Sequence, residues 1–169
     1  MSRDLRSPSA TPRITLHAID AAEGERIVAR QAGPQDDWVH DYPFEGDVGA
    51  VGNFLRTTAT HGEQRPFGYY QVRRLCDQRV IGGIGFKGQP RHGCGEIGYG
   101  LAPSARGFGY GAEAVSSLLA RDDLFGLLTV VAETTSENVA SQRTLLRAGF
   151  HVVNVTGATH WYEKRVRSG

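Results

Sequence analysis

The sequence predicts an α+β (mixed α/β) fold: a central mixed sheet, mostly antiparallel, with one parallel junction and helices on both faces. Three stretches predict it. Residues 69–101 alternate short β-branched or glycine-rich runs with tight turns, the pattern of an antiparallel meander. Residues 106–119, RGFGYGAEAVSSLL, set a glycine-spaced turn ahead of a helix with one apolar face. Residues 127–133, LLTVVAE, form a β-branched strand that returns parallel to the strand before the turn, since strand, helix and strand make a right-handed crossover.

Taken in order, Ile14 to Ala18 alternates apolar and polar residues and starts the sheet. Ala21 to Ala32 reads as a helix with Ile27 and Val28 inward, stopped by Gly33-Pro34. Trp38 to Phe44 is a polar loop with three aromatics at even spacing, which either walls an acceptor pocket or packs on itself to anchor the loop. A weaker helix covers Val48 to Thr58. The meander follows as Tyr69 to Leu75, Val80 to Lys87 and Gly95 to Leu101, with hairpin turns at Cys76–Arg79 and Gln89–Gly93. After the crossover strand, Ser136 is placed to cap a helix over Glu137 to Ala148. Val139, Leu145 and Leu146 face inward there and Gly149 stops it. Phe150 to Val155 and Thr159 to Val166 close the chain as a hairpin around Gly157.

Length and composition bound the function. At 169 residues the chain reads as one domain over 13–169 behind a polar tail of residues 1–12. That tail lacks the apolar segment of a secretory signal, and the longest apolar run, Leu127 to Ala132, is too short to span a bilayer, so a cytoplasmic protein with no membrane partner is expected. A net charge of +1 gives no footprint for nucleic acid. Cys76 and Cys94 fit neither a metal nor a redox motif and read as buried or incidental thiols. No metal site is expected.

Residues 82–111 hold half of the chain's 22 glycines. Glycine is costly in regular structure unless a positive φ or a close backbone approach is needed, so the chemistry is expected here. A strand, a glycine turn and a helix start make an anion site, because the first amides of a helix lack partners at the positive end of its dipole. Read as Gly107-x-Gly109-x-x-Ala112, the turn satisfies a dinucleotide fingerprint, with Glu133 spaced to meet a ribose. A helix start with no ligand is the third possibility. The element order opposes the dinucleotide reading: that fold places its fingerprint at the first strand–helix junction and builds parallel units after it, whereas three antiparallel strands come first here.

Several stretches together resemble the GCN5-related N-acetyltransferase (GNAT) superfamily, and within it the bacterial branch related to the ribosomal-protein N-acetyltransferases. Glu96-Ile97-Gly98-Tyr99-Gly100-Leu101-Ala102-Pro103 is similar to that branch's fourth strand, and Arg106-x-x-Gly109-x-Gly111 to its acyl-CoA loop, followed by the usual Glu113-Ala114. Asn138-Val139-Ala140-Ser141 and Leu145-Leu146-Arg147-Ala148-Gly149-Phe150 resemble its Asn-x-x-Ser and Leu-x-x-x-Gly-Phe signature. The close match covers about residues 80–155.

The resemblance implies a sheet splayed at the parallel junction, with acetyl-CoA as co-substrate and an amine as acceptor. Amides of Gly107, Phe108, Gly109, Tyr110, Gly111 and Ala112 would hold the pyrophosphate, Arg106 would add a charge-assisted contact, and Gly98 and Gly100 would let the pantetheine approach. The amide near Leu101 would face the thioester oxygen, and Asn138 would bond a pantetheine amide or else only cap its helix. Glu96 or Glu133 would take the amine's proton, directly or through water; the alternative for each is a salt-bridged strand residue. Ser141 would protonate or bond the departing sulfur. Many relatives carry a Tyr acid at about the position of Leu145, and this chain does not. His160 and Tyr162 either line the acceptor side or are structural. A non-catalytic acyl-CoA sensor is the alternative function, and either a monomer or a homodimer is compatible with the fold.

Overall fold

The computed structural model describes residues 11–166; the tail expected over residues 1–12 lies almost entirely outside them. The elements follow the predicted order: β1 (Ile14–Ala18), α1 (Ala21–Ala29), α2 (Glu45–His61), β2 (Tyr69–Arg74), β3 (Val80–Phe86), β4 (Cys94–Leu101), α3 (Tyr110–Leu119), β5 (Thr129–Thr135), α4 (Val139–Arg147), β6 (His151–Thr156) and β7 (Thr159–Arg165), with a 3-10 turn at Pro103–Ala105. The seven strands form one sheet in the order β1-β2-β3-β4-β5-β7-β6, and its single parallel pair is β4 with β5. Helices α1 and α2 pack on each other, and α3 packs on α4, β1 and β4.

Several boundaries moved for identifiable reasons. Helix α1 stops at Ala29 because Arg30 takes the left-handed conformation at φ 55° and returns its amide to the Arg26 and Ile27 carbonyls. Its start is a reciprocal cap: Asp20 Oδ1 accepts from the Glu23 amide at 2.8 Å, and Glu23 Oε2 accepts from the Asp20 amide at 2.9 Å. Ile27 is buried as expected, but Val28 is exposed. Strand β5 begins at Thr129 because the Leu128 and Thr129 amides are both spent on the Gly93 carbonyl. It then runs to Thr135, so Glu133 lies inside the strand and not at its end. Ser136 does not cap α4; Asn138 does, accepting from the Ser141 amide at 3.1 Å. Of the three residues expected to face inward on α4, Leu145 is fully buried while Val139 and Leu146 are about half exposed. Cys76 and Cys94 are free and exposed, not buried.

Beneath α2, glycines make room for a tyrosine. A β-carbon on Gly83 would stand 1.7 Å from Tyr69 Oη, and that hydroxyl donates to the buried Asp47 carboxylate at 2.9 Å. Gly83→Ala should therefore lose about 2–3 kcal/mol, because a ring held between two elements cannot step aside. Urea unfolding reads this directly, and an unchanged midpoint would show that Tyr69 is free to move. Among the described residues no helix is long and apolar enough to cross a membrane.

Candidate active site

Strands β4 and β5 pair only over Cys94–Glu96 and Thr129–Val131. Beyond that β4 stays with β3 out to Leu101 and β5 stays with β7 out to Thr135, so the sheet parts between them. The antiparallel ladder decides what faces the gap. Ala102 donates to the Ile81 carbonyl and Lys87 to the Glu96 carbonyl, each at 2.8 Å, which commits the even-numbered backbone of β4 to β3. The amides of Tyr99 and Leu101 consequently point into the opening.

At its end stands the glycine turn. Gly107 and Gly109 have φ of 86° and 84°, which a side chain would disfavour, and a β-carbon on Gly107 would meet nothing. Gly109 is the N-cap of α3 and supplies no side-chain cap, so the amides of Tyr110, Gly111 and Ala112 open the helix at the positive end of its dipole. Gly111 has a separate reason: its β-carbon would press on Thr144 Cγ2 at 3.3 Å, so it serves the close packing of α3 on α4. Phe108 is exposed on the turn. Arg106 is turned off the amides. Its Nε donates to the Leu101 carbonyl at 3.0 Å and its guanidinium lies 5.5 Å from the Phe44 ring centre. The cation on the turn is Arg13, which donates to the Phe108 carbonyl at 3.0 Å, pairs with Glu113 at 2.9 Å and covers the Tyr110 ring at 4.8 Å.

The gap is strapped on both faces of the sheet. On the α2 face, the Lys87 side chain crosses β4 above Gly98, whose β-carbon would lie 3.4 Å from Lys87 Cε, and its ammonium bridges Glu96 at 2.6 Å and Glu133 at 3.0 Å. Burial alone would lower the Lys87 pKa, but the two carboxylates outweigh it and the pKa is raised. On the α4 face, Tyr99 Oη lies 2.9 Å from Ser141 Oγ and 3.1 Å from the Ser141 carbonyl. Burial pushes the Tyr99 hydroxyl up to about 12, the contact with Ser141 opposing it.

Two cavities adjoin the straps. One, of about 370 Å³, is lined by Lys87, Glu133, Thr134, Thr135, Asn138 and Thr159. The other, of about 340 Å³, lies between α2 and the sheet, with Gly49, Ala50, Asn53 and Phe54 on one wall and Tyr69, Gly85, Phe86, Lys87 and Gly98 on the other. Lys87 belongs to both.

The structure thus brings Glu96, Glu133, Asn138, Ser141 and the gap-facing Leu101 amide around one opening that leads to the Gly107–Ala112 turn. Asn138 both caps its helix and lines the cavity. Tyr162 is buried in the core, and His160 pairs with Thr134 within the sheet. The aromatic loop divides: Trp38 and Tyr42 pack edge to face at 5.3 Å, whereas Phe44 lies on Gly100, whose β-carbon would be 2.3 Å from its ring. Gly100 therefore makes room for Phe44 and leaves pantetheine no access from that face.

Sequence reasoning missed Lys87, Tyr99 and Arg13. Lys87 carried one signal: it is one of only two lysines, with Lys164, among 19 lysines and arginines. Tyr99 stood between Gly98 and Gly100, where the alternation of a strand sends it to the face opposite the glycines. Arg13 carried none, since its partners lie about a hundred residues away.

The fold and this cleft define an acyl-transferring enzyme. A family model described as an acetyltransferase (GNAT) domain matches residues 13–151, most of the chain, and the protein belongs to that family. No curated protein matches the sequence significantly. Among solved structures, the ribosomal-protein-S5-alanine acetyltransferase from Vibrio fischeri is 17% identical with a TM-score of 0.61 over 94% of this chain and 96% of that one. RimL, the ribosomal L7/L12 α-N-protein acetyltransferase in complex with coenzyme A, is 16% identical with a TM-score of 0.64 over 94% and 97%. The microcin C7 self-immunity acetyltransferase MccE, in complex with acetyl-CoA and AMP, is 16% identical with a TM-score of 0.61 over 92% and 94%. At these identities the likeness is one of fold.

Proposed function

We propose that the protein transfers an acetyl group from acetyl-CoA to a primary amine, on a protein N-terminus or a small molecule, by direct transfer in a ternary complex. The observation that carries this reading is the strapped gap: two carboxylates sharing a cation on one face, a hydroxyl pair on the other, and free backbone amides between them and along the glycine turn.

Acetyl-CoA, when bound, supplies an acetyl group activated as a thioester. The turn fits its diphosphate, because the first amides of α3 have no side-chain cap and the space at Gly107 is open. Arg13 offers a guanidinium beside those amides, a role the sequence had suggested for Arg106. The Tyr99 and Leu101 amides, fixed by the ladder, are donors for negative charge developing on the acyl oxygen, a contribution worth about 3–4 kcal/mol for one well-placed donor. Glu96 and Glu133 take the proton that an attacking ammonium must lose. Ser141 and Tyr99, on the far face, are the groups from which a departing sulfur is protonated. The α2 cavity suits a small or slender acceptor, since Phe54, Phe86 and Tyr69 give it apolar walls and Lys87, which bridges the two carboxylates, lines it.

Thermal unfolding with acetyl-CoA, CoA and NAD tests the donor assignment. Either CoA compound at a hundred times its dissociation constant should add roughly 2.7 kcal/mol of stability, with NAD adding none. Release of thiol on adding an amine panel then separates an enzyme from a non-catalytic sensor. A shift with NAD alone, or with none of the three, overturns the reading.

A further inference from the structure

We propose that Lys87 is itself an acceptor, and that the protein acetylates this side chain when no substrate amine occupies the cleft. The inference rests on the acetyl-CoA reading above. Lys87 presents what that reaction consumes, a primary amine on an unbranched chain, at the place where an acceptor is expected. Its ammonium is held by both candidate bases, Glu96 at 2.6 Å and Glu133 at 3.0 Å. The chain reaches that position by crossing β4 at Gly98, two residues past the last β4–β5 pair, so the nitrogen spans the mouth of the gap. It lines both cavities, and its side chain is 42% exposed, which leaves room for an acyl group to meet it.

The other lysine offers a comparison within the same chain. Lys164 sits on β7 and donates to the Ala148 carbonyl at 2.6 Å, away from the carboxylate pair. With every other long basic side chain an arginine, an amine-acetylating enzyme here exposes a nucleophilic lysine to its own chemistry at one site in the cleft.

The step balances simply. The Lys87 ammonium gives one proton to Glu96 or Glu133, and its nitrogen attacks the thioester carbonyl. The new C–N bond forms, the C–S bond breaks, and the thiolate leaves and is protonated to CoA. The second amine proton passes to the same carboxylates and on to water. The product is a neutral amide that can no longer bridge the two carboxylates, so Glu96 and Glu133 face each other without a cation and the wall shared by the two cavities is altered. Modification would change acceptor turnover as well as mark the chain.

The test is intact-mass and peptide-mapping spectrometry of the full chain incubated with acetyl-CoA and no amine. The expected result is the mass of one acetyl group on the Lys87 peptide, gained at least about tenfold faster than on Lys164, as positioning beside the donor requires. Excess unacylated CoA should suppress labelling at Lys87 and leave Lys164 unchanged. Lys164→Arg should label like the parent, and Lys87→Arg should lose the cleft label. Equal rates at the two lysines, indifference to excess CoA, or a label confined to the N-terminus would overturn the proposal. If CoA raises the unfolding temperature and an amine substrate releases thiol, yet Lys87 stays unmodified, this inference fails alone. If CoA produces no thermal shift, the acetyl-CoA reading fails and carries this inference with it.

Discussion

Replacing Glu96 and Glu133 together by Gln should lower kcat/KM for an acetylated amine by about 10²–10⁴, while CoA still raises the unfolding temperature. The prediction follows from the bridge. Because Lys87 touches both carboxylates, losing one leaves the other beside the same cation at the same opening. Each single variant should therefore cost less, about tenfold, and the double variant should cost more than the two singles combined, as expected where either group can stand in for the other. Donor binding rests on the turn before α3, which neither glutamate touches, so it serves as an internal check that the fold survives. Initial rates of thiol release measure the first quantity and thermal unfolding the second. A double variant within about threefold of the parent would show that the proton leaves by another route. The carboxylates would then be a salt-bridged clamp across the gap and nothing more.

What the sequence made legible was local. The glycine turn could be read because each of its requirements, positive φ and an open helix start, is met within six residues. The strand order followed from hairpin turns and one crossover, which constrain topology through chain geometry alone. Boundaries failed where a single backbone group was spent elsewhere, as when the Leu128 and Thr129 amides both went to the Gly93 carbonyl. The inward face of α4 failed differently. Val139 and Leu146 fit a helical apolar period, but both stay about half exposed, and Leu145 is the residue of the helix that is fully buried. Periodicity reports that a face exists; how much of it is covered depends on neighbours far away in sequence.

The site divides the same way. Glu96 and Ser141 could be singled out because they lie inside recognisable segments. Their working partners could not. Lys87 meets Glu133 across 46 residues, and Arg13 meets Phe108 across 95, contacts that no local pattern encodes. Arg106 shows the converse. Its position in the motif suggested a phosphate contact, yet the nearest good acceptor for its Nε is the Leu101 carbonyl, left facing the gap by the strand ladder.

The unfolding free energy should fall as pH rises from about 5 to 7, and Asp47→Asn should flatten that slope. Asp47 sits at the third position of α2, 2% exposed, with Oδ1 accepting from Tyr69 Oη at 2.9 Å and Oδ2 from the Phe44 amide at 3.2 Å. Among the described residues no cation touches it; Arg106 and Arg30 act only at longer range. Burial dominates the hydrogen bonds and raises its pKa from 3.8 to about 7. Across that interval the folded chain holds a proton that the unfolded chain has lost, so the stability this group contributes is complete below pH 4 and is lost as pH climbs through 7. The whole change is on the order of 4 kcal/mol. The depressed carboxylates of Asp36, Asp41, Asp77 and Glu63 act the other way, their contribution being complete by about pH 5 and lost as pH falls below it, and so leave the window from about pH 5 to 7 clear. Asparagine keeps an acceptor for Tyr69 but forfeits the one for the Phe44 amide, at a cost of about 1 kcal/mol that does not vary with pH. The two curves should therefore cross between about pH 4 and 5, with the variant the more stable of the two at about pH 8. Urea midpoints across that range decide it: parallel curves, or a parent that gains stability from pH 5 to 7, would mean that Asp47 is ionised in the folded state. In that case water or a cation must reach the pocket beneath α2, next to Tyr69, which also lines the cavity between α2 and the sheet.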